Sequence, residues 1–215
     1  MSNRRAFITL LGGAAAAWPL GARDRKSVGF LGLAPASASA SRVEALRAGL
    51  RDHGYVEGKD IVIEFRWAEG VEQLPELAAE LVRMNVDVIF APSSTFVEPA
   101  RQATKTIPIV FALHADPVGV GHVASLARPG WNITGLSSLL TELGAKELEI
   151  LKEAVPQARR IGVLWNPTTP SHQPALKAVE AAGAKLGVQL LTAPLSKVED
   201  FDEAFSLMTS RLPGR

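Results

Sequence analysis

The sequence predicts an α/β fold in which parallel strands are covered by helices and the chain divides into two lobes. Two observations carry this. Short apolar runs of strand type alternate with amphipathic helical stretches, and a segment rich in turn formers interrupts that alternation near the middle of the 215 residues. Strand and helix in alternation imply a parallel sheet, because a parallel neighbour is reached only through a long crossover that a helix supplies.

Taken in order, Val28-Gly29-Phe30-Leu31-Gly32-Leu33 is a short apolar run of the buried-strand kind. Ser41 and Glu44 stand at capping-box spacing, and Val43, Leu46 and Leu50 fall on one helical face until Gly54 ends the turn. Ile61 to Phe65 reads as the next strand, and Leu74, Leu77, Ala78 and Leu81 mark a second helix. Val86 to Phe90 and Ile107 to Phe111 are further strands, the latter ending at about Ala112. Between them lies a helix opened by Ser93-Ser94-Thr95, with Thr95 and Glu98 again at capping-box spacing.

The stretch from Asp116-Pro117-Val118-Gly119 through Ser125 to Ser137 breaks this rhythm, and a lobe boundary is expected just after it. A second alternating set follows. It comprises a helix over about Glu142 to Ala154, a strand Ile161 to Trp165, a helix over Ser171 to Leu186, a strand Val188 to Leu191, and a helix started by Ser196 and Glu199. Residues 24–137 are thus expected to form the amino-terminal lobe and 138–215 a partial second lobe. Two strands make a poor sheet, since both outer edges carry unpaired backbone groups, so the second lobe reads as unfinished.

Ahead of the first strand, Arg4-Arg5 precedes an apolar run from Ala6 to Ala17 and a small-residue exit, the parts of an export signal of the twin-arginine type. The run is too short for a spanning helix, which needs roughly 20 apolar residues. Residues 1–23 are therefore read as a signal peptide and the mature chain as starting near Asp24, in the periplasm. With no cysteine, the chain carries no disulfide framework, thiol nucleophile, iron–sulfur ligand set or lipidated cysteine. Removing residues 1–22 leaves 21 basic against 22 acidic groups, a balance that draws it to neither nucleic acid nor anionic membrane.

In open parallel sheets, ligands bind beyond the carboxyl ends of the strands, where loops lead into helix amino termini. Ser93, Ser94 and Thr95 lie there, offering hydroxyls and free N–H groups to a ligand carboxylate, or a simple helix cap. Asp116 lies past the fourth strand, to pair with an ammonium group or to start the Pro117 turn. In the second lobe, Asn166, Thr168, Thr169 and Ser171 occupy the mirror position, although Asn166-Pro167 is also a routine turn opener. Asn132 is a candidate for satisfying backbone groups in the crossover segment.

An enzyme reading would rest on His114, Asp116 and His122, a His-x-Asp with a second His. That spacing matches no closed zinc pattern, and no glutamate or cysteine close by in sequence completes a ligand set. No G-x-S-x-G elbow and no Gly-rich phosphate loop occurs. No cofactor, metal or catalytic group is predicted. The alternative on this reading is an exported hydrolase or metal-dependent enzyme.

Several long strings resemble the substrate-binding proteins of bacterial ABC transporters, in the branch whose members take up aromatic amino acids. They are Arg47 to Arg51 with Gly54-Tyr55-Val56-Glu57-Gly58-Lys59, Leu74 to Val82, Ala103 to Phe111, Asp116-Pro117-Val118-Gly119, and Ser125 to Ser137. The resemblance implies a periplasmic-binding-protein fold of type I: two doubly wound lobes joined by hinge strands and closing on a small ligand. It also implies a cleft-facing loop after the first strand, here Pro35-Ala36-Ser37, and an ABC permease in the inner membrane as partner. The ligand so implied is a small molecule resembling an aromatic or branched-chain amino acid, bound by a monomer. Similar proteins run on past the position of Arg215, so the alternative reading is a truncated, non-functional fragment of such a receptor. Trp131 departs from the family string, which carries a second glycine after Gly130; a positive φ at that position would strain tryptophan. Regulators that share this fold need a basic helix-turn-helix where this chain has its apolar leader, and that reading is set aside.

Overall fold

A computed structural model describes residues 25–210; the signal peptide read over residues 1–23 lies outside the described residues. The first sheet holds β1 (Lys26–Leu33), β2 (Ile61–Ala68), β3 (Val88–Ala91), β4 (Ile109–His114) and β5 (Ile133–Ser137), all parallel and in the order β2-β1-β3-β4-β5. Three helices, α1 (Ala40–Asp52), α2 (Leu74–Arg83) and α3 (Ser94–Ala103), make the crossovers among β1 to β4.

Side-chain alternation along the strands divides the helices between two faces. Val28 and Phe30 of β1, Ile61 and Ile63 of β2, and Val88 and Phe90 of β3 pack with Val43, Leu46 and Leu50 of α1. The opposite face, carrying Leu31, Ile89, Ala91, Ile109, Phe111 and Ile133, is covered by Leu74, Ala78 and Leu81 of α2 and Phe96, Val97 and Ala100 of α3. The α1 face is aromatic, with the Phe30 ring 5.2 Å from Phe65, 5.3 Å from Trp67 and 5.5 Å from Phe90. Because α1 lies on one face and α2 on the other, the direction of winding reverses between β1 and β3.

β5 corrects the sequence reading, which took residues 125–137 as a crossover without a strand. Ile133 pairs with Ile109 and Gly135 with Phe111. The turn formers before it close a tight loop, in which Ala124 donates its N–H to Pro129 O and Ser125 to Arg128 O. Asn132 serves this join as expected: its Nδ2 donates to Ile107 O at 2.7 Å and its carbonyl accepts the Ile109 N–H. The positive φ of this turn falls on Gly130, at 93°, and Trp131 is not among the residues with positive φ, so the tryptophan stands exposed without backbone strain.

None of the three expected capping pairs forms. α1 starts at Ala40, and Glu44 accepts from Arg47 instead of closing back on Ser41. α3 starts at Ser94 without a side-chain cap, and Glu98 is drawn to Arg101. The last helix begins at Asp200, whose carboxylate accepts the N–H groups of Ser196 and Lys197. Glu44 and Glu98 found charged partners, which outweigh a neutral cap, and in the last helix Asp200 takes the amides in place of Glu199.

A second sheet pairs β6 (Arg160–Trp165) in parallel with β7 (Gln189–Pro194). Its helices are α4 (Leu140–Ala154), α5 (His172–Lys185) and α6 (Asp200–Ser210). α4 and α5 approach closely where Gly144 leaves room for Val179, and Met208 of α6 covers Gly162 of β6.

Candidate ligand site

The strand order places the switch in winding direction between β1 and β3, the position at which an open α/β sheet binds its ligands. The loops after β1, β3 and β4 leave the same edge of the sheet on adjacent strands, and they carry Ser37, Ser93-Ser94-Thr95 and Asp116. Ser37 is exposed on a short 3-10 turn, Ala36–Ser39. Ser93 precedes α3 in extended conformation, and it and Thr95 are half-buried beside the helix amino terminus. The first N–H groups of a helix have no partner within it, so this terminus favours an anion.

The structure gives Ser94 a different task from its neighbours. It is buried, and its Oγ accepts the Ala115 N–H at 3.1 Å, tying the start of α3 to the end of β4. Asp116 is half-buried; its Oδ1 accepts the Gly119 N–H at 2.7 Å, closing the Pro117 turn, while its second oxygen lies against Gly119, whose missing Cβ makes that packing feasible. Asp116 therefore shapes its own loop as well as presenting charge there.

Behind Asp116 lies a group that sequence spacing did not disclose. The Asp116 N–H donates to His114 Nδ1 at 3.1 Å, and His114 Nε2 lies 2.8 Å from His122 Nδ1. His122 Nε2 is 3.1 Å from Glu98 Oε2, and Glu98 is held by Arg101 at 2.7 Å and by Gln102 at 2.9 Å. Both imidazoles are buried. Burial pushes both histidines below their usual range, His114 down to about 4. The Arg101 guanidinium holds Glu98 down to about 2. His114, Asp116 and His122 thus do not converge on a common point for a metal; the two rings bond to each other and Asp116 turns to Gly119. Glu98, 24 residues from His122, was invisible to a search among sequence neighbours.

At the carboxyl edge of β6, Asn166 Oδ1 accepts both the Thr168 N–H, at 2.8 Å, and the Thr168 hydroxyl, at 2.7 Å, a side-chain-closed turn. Asn166 N–H donates to His172 Nδ1 at 3.1 Å. Ser171 precedes α5 and is fully buried, with no hydrogen-bond partner for its Oγ among the described residues. Asn166, Thr168 and Ser171 thus gather at one strand edge in the second sheet, as Ser37, Ser93 and Asp116 do in the first.

A winding switch with loops gathered at one sheet edge is the ligand position of an open α/β fold. Residues 34–213 match the family described as ABC transporter substrate binding protein, and the chain belongs to that family, whose members bind substrates and are not enzymes. Over 164 residues it is 30% identical to a tyrosine-binding protein of Clostridioides difficile, an overlap of 76% of this chain and 47% of the relative. A conserved domain protein of Vibrio cholerae superposes with a TM-score of 0.78 at 30% identity, over 87% of this chain and 63% of that one. A domain from Streptococcus pneumonia in complex with L-Trp superposes with a TM-score of 0.75 at 21% identity, over 88% and 63%. The fold is that of the type I periplasmic binding proteins. The chain spans about half the length of the curated relative it matches.

Proposed function

We propose that the protein is the solute-binding component of an ABC uptake transporter and captures an amino-acid-like ligand between two lobes, residues 24–137 and the lobe beginning at 138. The observation that carries this reading is the gathering of Ser93, Thr95 and Asp116 at the winding switch. An anion-favouring helix terminus and a carboxylate stand on neighbouring loops, matching the two charges of an amino acid. In this reading Ser93, Thr95 and the first N–H groups of α3 take the ligand carboxylate, with Ser94 holding them in place. Asp116 takes the ammonium group, and Ser37 closes the β1 side. Asn166 and Thr168 supply the second lobe's contacts, with the fully buried Ser171 supporting them ahead of α5.

Charge-assisted hydrogen bonds contribute about 1.5–3 kcal/mol each and micromolar affinity requires about 8 kcal/mol, so both lobes must contribute. The name of the Clostridioides difficile relative and the ligand held by the Streptococcus pneumonia domain favour an aromatic amino acid. No bond is made or broken; the ligand passes to an inner-membrane permease. Residues 1–23 direct export by the twin-arginine route, leaving a monomer in the periplasm.

Titration calorimetry with L-tyrosine, L-tryptophan and L-leucine tests this. Saturable binding of at least one, weakened tenfold or more in Asp116→Asn, is expected; equal affinity in wild type and Asp116→Asn would remove Asp116 from the site.

A further inference from the structure

The bonds around the two buried histidines run in one direction. Asp116 N–H can only donate, so His114 Nδ1 must be the acceptor and bear no proton. In a neutral ring the proton then sits on His114 Nε2, which donates to His122 Nδ1. That leaves the His122 proton on Nε2, aimed at the Glu98 carboxylate, itself anchored by Arg101. Each ring has its one donor and one acceptor matched, and a single pair of tautomers satisfies the whole chain. The chain links the loop after β4 to the middle of α3, while Ser94 and Ala115 link the same two elements nearer the sheet edge.

We infer that His114, His122 and Glu98 are positioning residues for the ligand edge: a one-way hydrogen-bond chain of two neutral imidazoles that fixes the Asp116 turn against α3. The inference rests on the proposed ligand reading for its effect on affinity, and on geometry alone for its effect on the loop. A proton added to His114 Nδ1 leaves no lone pair for the Asp116 N–H, and one added to His122 Nδ1 would face the His114 Nε2–H. The charged groups facing these rings are Asp116, on the loop that also carries His122, and Glu98 and Arg101 on α3. The carboxylates favour an added proton, whereas burial and Arg101 oppose it; capture should therefore weaken as the medium is acidified.

Long-range nitrogen–proton NMR spectra of the wild-type protein at neutral pH test the chain directly. Both rings should carry their proton on Nε2; a proton on Nδ1 of either ring, or an imidazolium, would overturn the inference. Two substitutions at the half-buried Glu98 then separate positioning from mere packing. Glu98→Gln keeps an oxygen acceptor for His122, and should retain the tautomers and the protection of the Ala115 and Asp116 amides. Glu98→Leu removes the acceptor, and should speed exchange of those amides at least tenfold and lower L-tyrosine affinity about tenfold. Unchanged exchange in Glu98→Leu would refute the positioning role. If the wild type binds no amino acid, the functional reading fails, yet tautomers and exchange rates still decide this inference.

Discussion

Ser94 Oγ accepts the Ala115 N–H at 3.1 Å, joining the first turn of α3 to the residue that follows β4. A hydroxyl at the head of the anion-favouring helix is thereby committed to holding the adjacent loop. Ser94→Ala leaves a buried N–H without a partner, which costs about 1–3 kcal/mol. Chemical denaturation should register that loss, and Ser93→Ala, at a half-buried position outside this bond, should lose less stability while weakening ligand binding more.

Gly119 owes its identity to Asp116. A Cβ at 119 would run into the Asp116 carboxylate, so Gly119→Ala must turn that side chain or open the Pro117 turn. Amino-acid affinity should fall about tenfold, equivalent to about 1.4 kcal/mol. Calorimetric titration checks it, and an unchanged Kd would separate Asp116 orientation from binding.

The close pairing of β5 with β4 depends on Gly135, where a Cβ would meet the carbonyl oxygen of Phe111. Gly135→Ala must push β5 away from its neighbour, and overpacking of this kind costs about 1–3 kcal/mol. The urea midpoint should drop accordingly, whereas Gly49→Ala, where the added Cβ meets nothing within 4 Å, should raise it.

Acid should destabilise the fold in two overlapping windows. His114 takes its proton at about 6.5 when unfolded but only near 4 in the fold, because burial opposes the charge. The unfolded chain therefore binds more protons below 6.5, and stability present above that pH is lost as pH falls through 4. Glu98, held at about 2 against an ordinary 4.5, adds stability that is present above 4.5 and is lost as pH falls towards 2. Denaturation midpoints measured from pH 7.5 to 3 should fall throughout, and Glu98→Gln should flatten the lower part of the curve.

Much of the fold was legible because the apolar runs and helical faces are strong: Val43, Leu46 and Leu50 do cover Phe30, and Leu74, Ala78 and Leu81 do cover Leu31. β5 was not, because Thr134 and Gly135 dilute its apolar pattern and turn formers precede it; its pairing with Ile109 and Phe111 is a tertiary fact. The carboxyl-edge loops could be located because strand ends and helix starts are local signals. Which hydroxyl faces inward is not local, and Ser94 differs from Ser93 and Thr95 through a partner 21 residues away. The capping pairs failed for the same reason: Arg47 and Arg101 outcompeted backbone amides for Glu44 and Glu98.

The most direct test of the central claim is a calorimetric melt of the purified protein alone and with L-tyrosine, L-tryptophan or L-leucine. Ligand that binds only the native state must raise the transition temperature. A cooperative transition shifted upward by at least one of these amino acids, and by less in Asp116→Asn, is the expected result. A cooperative transition that none of them moves would contradict it.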